Sequence, residues 1–91
     1  MSLEIKFTSQ FKKDIKLAKK QGKDIDKLFA VVEKLANRER LDPKNRDHAL
    51  TGNYENCRDC HIEPDWLLIY QIIDEQLILM LYRVGSHSDL F

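Results

Sequence analysis

Five side chains of this chain are of types that move protons or hold phosphate near neutral pH: His48, His61, Asp65, Arg83 and His87. Two of them lie in the segment Cys57-Arg58-Asp59-Cys60-His61-Ile62-Glu63-Pro64-Asp65-Trp66, which also spells Cys-x-x-Cys-His. That spelling is used for covalent haem attachment, where each thiol adds to a vinyl group and the histidine binds the iron. It is specific only in an exported chain, and Met1 to Lys6 shows no cationic region followed by a long apolar stretch. Met80 could nominally be a second axial ligand, but Leu77, Leu79 and Leu81 mark it as a packed strand residue. The strand expected over residues 57–62 sends the two thiols to opposite faces, which argues against both haem and structural zinc. The spacing of His48, Cys57, Cys60, His61 and His87 fits no common four-ligand zinc module. A redox pair would open a helix after Cys60, yet Pro64 follows instead. No metal or cofactor is expected, and the cysteines read as one small buried side chain and one indifferent one.

The remaining groups suit RNA strand cleavage without a metal. A 2′-hydroxyl must lose a proton as it attacks the adjacent phosphorus, and the leaving 5′-oxygen must gain one. Histidine serves both transfers because its ordinary pKa lies near neutrality. Aspartate can be the base or orient an imidazole, arginine can clamp the phosphate, and Trp66 or Tyr70 could stack on a base. Each of the three histidines falls at the junction of expected elements, where small domains assemble sites on a rigid frame.

The elements that must hold these residues follow from periodicity. Leu3, Ile5 and Phe7 alternate with Glu4 and Lys6, a short strand pattern. Thr8 or Ser9 can cap a helix with Phe11, Ile15 and Ala18 on one face. Lys12, Lys16, Lys19 and Lys23 form a neighbouring stripe, flanked by Lys13 and Lys20. Gly22 ends this helix and Asp24 opens the next, whose apolar set is Ile25, Leu28, Phe29, Val32, Leu35 and Ala36. Residues 37–56 read as a polar connection with a short strand near His48 to Leu50. Strands are expected over 57–62, 67–73 and 77–84, with a hairpin turn at Asp74-Glu75-Gln76. A short helical turn capped by Ser86 closes the chain. The order β-α-α-β-β-β, with one extra short strand, predicts an α+β fold. A mainly antiparallel sheet would carry the helix hairpin on one face.

Ninety-one residues suit one domain, 1–91, with a modest core. No apolar run approaches the roughly 18 residues of a membrane span, and the cytoplasm is the expected compartment. The formal net charge of zero conceals two opposed halves. Residues 1–46 carry thirteen Lys/Arg against seven Asp/Glu, and residues 47–91 carry two against eight. A basic surface of this kind attracts phosphate backbones whatever the total.

A wider pattern now appears. It consists of His48, Arg58-Asp59-x-His61-x-Glu63-Pro64-Asp65-Trp66-x-Leu68-Ile69-Tyr70 and Arg83-x-Gly85-x-His87-x-x-Leu90-Phe91, after a lysine-rich helix opening Ser9-Gln10-Phe11-Lys12-Lys13-Asp14. The chain resembles, over almost its whole length, the YafQ branch of the RelE superfamily of bacterial type II toxins. The resemblance implies an endoribonuclease that cuts messenger RNA in the ribosomal A site. It also implies a neutralising antitoxin that joins the toxin in repressing their own operator DNA. His87 is then the candidate general acid, Asp65 a general base or the group that sets one, and His48 and His61 proton acceptors or phosphate holders. Phe91 would position the RNA base. Lys12, Lys13, Lys16, Lys19, Lys20 and Lys23 would face ribosomal RNA. Arg83 as phosphate clamp and Trp66 as a stacking partner are inferred from chemistry. The alternative is a non-catalytic module of the same fold that binds RNA or protein.

Overall fold

The computed structural model describes residues 2–91. Strand β1 (Glu4–Phe7) leads into helix α1 (Ser9–Lys20) and helix α2 (Ile25–Ala36). After a connection with a single helical turn at Pro43–Asn45 come β2 (His48–Ala49), β3 (Arg58–Glu63), β4 (Trp66–Ile73), β5 (Ile78–Gly85) and the short helix α3 (His87–Leu90). The expected α+β order holds, with the extra strand present as β2.

The helix ends follow local chemistry. Thr8 Oγ1 accepts the N–H of Phe11, and Asp24 Oδ1 accepts that of Lys27, so each helix has one of its exposed N–H groups satisfied. Gly22 follows α1 with φ +75°, a left-handed conformation open to glycine at little cost. The hairpin buries Phe11, Ala18, Leu28, Val32 and Leu35 against Cys60, Ile62, Trp66, Leu68, Tyr70, Leu79, Leu81 and Val84.

The sheet order is β1-β5-β4-β3-β2. Strands β2 to β5 pair antiparallel in sequence, whereas β1 joins β5 in parallel at the far edge. Strand β4 has nearly uniform apolar character because it serves two cores. Trp66, Leu68 and Tyr70 face the helices, while Leu67 and Ile69 join Cys57 and Leu90 in a smaller cluster on the opposite face. That second face carries the candidate site.

Three details of the packing depend on the tertiary fold. Of the alternating apolar residues in β1 only Leu3 is buried; Ile5 and Phe7 are exposed on an edge strand. Phe7 instead lies 6.2 Å from the Phe11 ring, with the Lys12 ammonium over its face. Phe29 is exposed, and Val31 takes the buried position in α2. Both cysteines are buried, Cys57 in the small cluster and Cys60 in the main core, so the expected indifferent cysteine is absent. Burial pushes both thiols up in pKa, which leaves them neutral and unreactive.

Candidate active site

The short strand β2 brings His48 to the edge of the sheet, opposite Asp59 of β3. Its position is fixed from the neighbouring residue. Asp47 accepts the Tyr70 hydroxyl at 2.5 Å and the Arg58 guanidinium at 3.2 and 3.3 Å. Burial, followed by this bond to Asp47, holds the Tyr70 phenol well above its usual range, so it stays a proton donor. Arg46 adopts the left-handed region at φ 48° and its carbonyl lies 2.8 Å from His48 Nδ1. A carbonyl can only accept, so Nδ1 carries the proton and Nε2 is left with its lone pair.

His61 sits two residues beyond Asp59 and therefore on the same face of β3. Its Nδ1 lies 3.2 Å from the Pro64 carbonyl, which assigns the same tautomer and leaves Nε2 as a base. The register between β3 and β4 shifts at His61/Glu63, a bulge that re-aims the turn carrying Pro64 and Asp65. Asn45 is buried and donates to the His61 carbonyl at 2.7 Å, tying the preceding connection to this strand. A cavity of about 390 Å³ beside His61 is lined by Lys27, Lys44, Asn45, Arg46, Ile62, Glu63 and Pro64, so three cations face one carboxylate there.

His87 opens α3, where Ser86 caps the turn by accepting the Asp89 N–H. Asp65 Oδ1 accepts the main-chain N–H of His87 at 3.0 Å, joining the β3–β4 turn to the C-terminal helix. The Phe91 ring lies 5.0 Å from the His87 imidazole and meets Tyr54 edge-on at 5.4 Å. The Tyr54 hydroxyl donates to the Leu90 carbonyl at 2.9 Å. At Gly85 an added Cβ would lie 3.3 Å from Leu90 Cδ2, so a larger residue would press on the seat of α3. Phe91 is 52 % exposed.

Two expected positioning residues are occupied elsewhere. Arg83 donates through Nε and Nη2 to the two oxygens of Asp14, each at 3.0 Å, and Asp14 also accepts the Val84 N–H. The guanidinium therefore locks α1 to β5, and a clamp on substrate would have to compete with that pair. Trp66 is 2 % exposed and packs in the main core, with Lys23 near its ring at 5.9 Å. It has no free face for a nucleobase; the apolar ring is better placed under the helices than in water. Tyr70 is buried likewise. Lys12, Lys13, Lys16, Lys19 and Lys20 project from the exposed side of α1, whereas Lys23 is partly withdrawn toward Glu63 at 4.0 Å.

One residue escaped the sequence reading. Asp59 is 2 % exposed, and all three histidines act electrostatically on its carboxyl. Its alternation with His61 along one strand was a usable signal. The fold is that of a small α+β protein, a five-stranded sheet with a helix hairpin on one face.

Comparison with known proteins narrows the class. Residues 3–91 match the family described as "Bacterial toxin of type II toxin-antitoxin system, YafQ". The mRNA interferase toxin YafQ of Escherichia coli K12 is 40% identical over 97% of this chain and 95% of its own. A metal-bound toxin from Helicobacter pylori superposes with a TM-score of 0.92 at 45% identity, covering 98% of this chain and 99% of that one. YafQ in the Escherichia coli DinJ-YafQ toxin-antitoxin complex does so with 0.89 at 39%, covering 100% and 99%. The chain belongs to the YafQ family of bacterial type II toxins.

Proposed function

We propose that this protein is an mRNA interferase, an endoribonuclease toxin that cuts messenger RNA in the ribosomal A site and is silenced by a cognate antitoxin. The observation that carries the reading is the Asp65–His87 link, which sets His87 beside the half-exposed Phe91 ring, with His48 and His61 on the neighbouring strands β2 and β3. The family membership and the solved DinJ-YafQ complex support the toxin and antitoxin roles.

In the proposed reaction Nε2 of His48 or His61 takes the proton of the 2′-hydroxyl. The freed oxygen attacks phosphorus, and His87 gives a proton to the departing 5′-oxygen. The products are a 2′,3′-cyclic phosphate and a 5′-hydroxyl. Each transfer contributes about 10²–10⁴-fold in rate. Asp65 acts by holding the His87 main chain. The lysines of α1 supply the charge that draws the protein to ribosomal RNA, and the antitoxin complex would repress its own operator.

The test is to present one message either naked or positioned on ribosomes to the purified protein. Cutting of the ribosome-bound message at the vacant A-site codon, with the naked message spared, is expected. Association with ribosomes without new RNA ends would instead identify a non-catalytic binding module.

A further inference from the structure

We propose that the turn ending in Arg46 is a phosphate-binding subsite, in which Lys44 and Arg46 hold the RNA backbone next to the phosphate that is cut. The inference rests on the ribonuclease reading above and deepens it by naming the groups that meet the substrate's charge.

Free positive charge is scarce around the histidines. Cations at the phosphate oxygens assist the cut, and further phosphate contacts position the backbone on either side. Both arginines of the acidic half are engaged: Arg83 forks onto Asp14, and Arg58 donates through Nε and Nη2 to Asp47. Lys23 and Lys27 lie 4.0 and 3.7 Å from the Glu63 carboxylate. Lys44 and Arg46 are exposed, and among the described residues neither side chain meets a carboxylate within ion-pair distance. Both line the cavity of about 390 Å³ whose wall includes His61. A ligand seated against that imidazole shares its recess with two unclaimed cations.

Hydrogen bonds tie the turn to the site from two sides. Asn45, 7 % exposed, donates Nδ2 to the His61 carbonyl at 2.7 Å. The Arg46 carbonyl accepts from His48 Nδ1 at 2.8 Å. The turn is also closed locally. Asp42 Oδ1 accepts the Lys44 N–H at 3.0 Å, and the Pro43 carbonyl accepts the Arg46 N–H at 3.1 Å. One frame therefore sets the main-chain positions from which both cations extend and holds both candidate bases.

Arg46 is a costly residue for its backbone. It stands at φ 48° and ψ 45°, the left-handed region, which glycine or asparagine occupies more readily. A chain that needed only the turn would be better served by either. Arginine adds a planar fork of donors matched to phosphate oxygens, and Lys44 adds a point charge nearby. The hydrogen bonds of the turn run to His48 and His61, the groups assigned the 2′-hydroxyl proton. The phosphate received here is then the one 5′ to the nucleotide that supplies this hydroxyl.

The test uses a four-nucleotide RNA with methylated 2′-hydroxyls, which binds without being cut. Binding is followed by NMR on the intact protein, and affinity is measured over a range of salt concentrations. The amide signals of Lys44 to Arg46 and the His61 imidazole should move on titration. In Lys44→Gln and in Arg46→Gln the slope of log affinity against log salt should each fall by about 0.7, the share of one phosphate contact on a single strand. Lys6→Gln, on strand β1 at the opposite edge of the sheet, removes the same charge and should leave the slope unchanged. All three side chains are exposed, so the variants keep the fold. An RNA that moves no signal of the turn would overturn the proposal. So would slopes for Lys44→Gln and Arg46→Gln equal to that of Lys6→Gln, which would leave these cations to a protein partner. Either result leaves cleavage by the histidines standing. RNA held at the turn by a protein that cuts no message would remove the ribonuclease reading and keep the subsite.

Discussion

Asp65 holds His87 by the main chain: its Oδ1 accepts the His87 N–H at 3.0 Å. The bond makes a turn between two strands responsible for where the C-terminal helix begins. It also separates two roles that an aspartate could have here. If Asp65 orients His87, Asp65→Asn should keep an oxygen acceptor and retain cleavage within about 10-fold. Asp65→Ala should lose about 10²-fold or more. Equal loss in both, measured by single-turnover cleavage, would show that the negative charge itself takes part.

The pair Asp14–Arg83 is expected to be structural. Asp14 is 7 % exposed and serves both the guanidinium and the Val84 N–H. Asp14→Ala strands both donors and should destabilise the protein by roughly 2–3 kcal/mol. Denaturant unfolding measures this directly. A change under about 0.5 kcal/mol, the scale of an ordinary surface substitution, would release Arg83 for the role of phosphate clamp.

Trp66 and Phe91 should separate stability from activity. Trp66→Ala empties a position in the main core and should cost about 3–5 kcal/mol. Phe91→Ala removes an exposed ring beside His87 and should leave the unfolding midpoint nearly unchanged while cleavage falls. Thermal melts run alongside cleavage assays distinguish the two.

Asp59 gives a stability prediction with a definite sign. Burial raises its carboxyl in the folded chain, with His48, His61 and His87 offsetting part of the rise. A group raised on folding lends its full stability below its unfolded value and loses it as pH climbs through the folded one. Asp59→Asn escapes that loss. The variant should therefore gain on the parent from acid to neutral pH, by roughly 1–2 kcal/mol. A gain of 1 kcal/mol corresponds to about 4–8 °C in Tm for a domain of this size. Melting curves at several pH values check it, and a difference that shrinks toward neutrality would refute it.

Periodicity placed the helices and strands because each buries one side against a single core. Its errors lie where that assumption ends. Ile5 and Phe7 alternate correctly but stand on an edge strand that the helices leave uncovered. The parallel pairing of β1 with β5 depends on contacts between distant segments and leaves no local trace. Candidate site residues stand out in the sequence as reactive types at element junctions, and the fold joins Asp65 to the His87 main chain and sets His48 opposite Asp59. Asp59 was passed over because a carboxylate in a strand suggests a solvated face; only the tertiary fold buries it beneath His48. The pairing of Arg83 is hidden from the sequence for the converse reason. Its partner Asp14 lies 69 residues away, on a helix whose other charges are exposed.

The central claim is that this fold cuts messages with His87 as the acid. The most direct measurement is a map of message 5′ ends after brief induction of the protein, beside His87→Ala checked for a native fold. The expected result is new 5′-hydroxyl ends inside reading frames with the parent protein and none with the variant. The same cuts from a well-folded H87A protein would contradict the account.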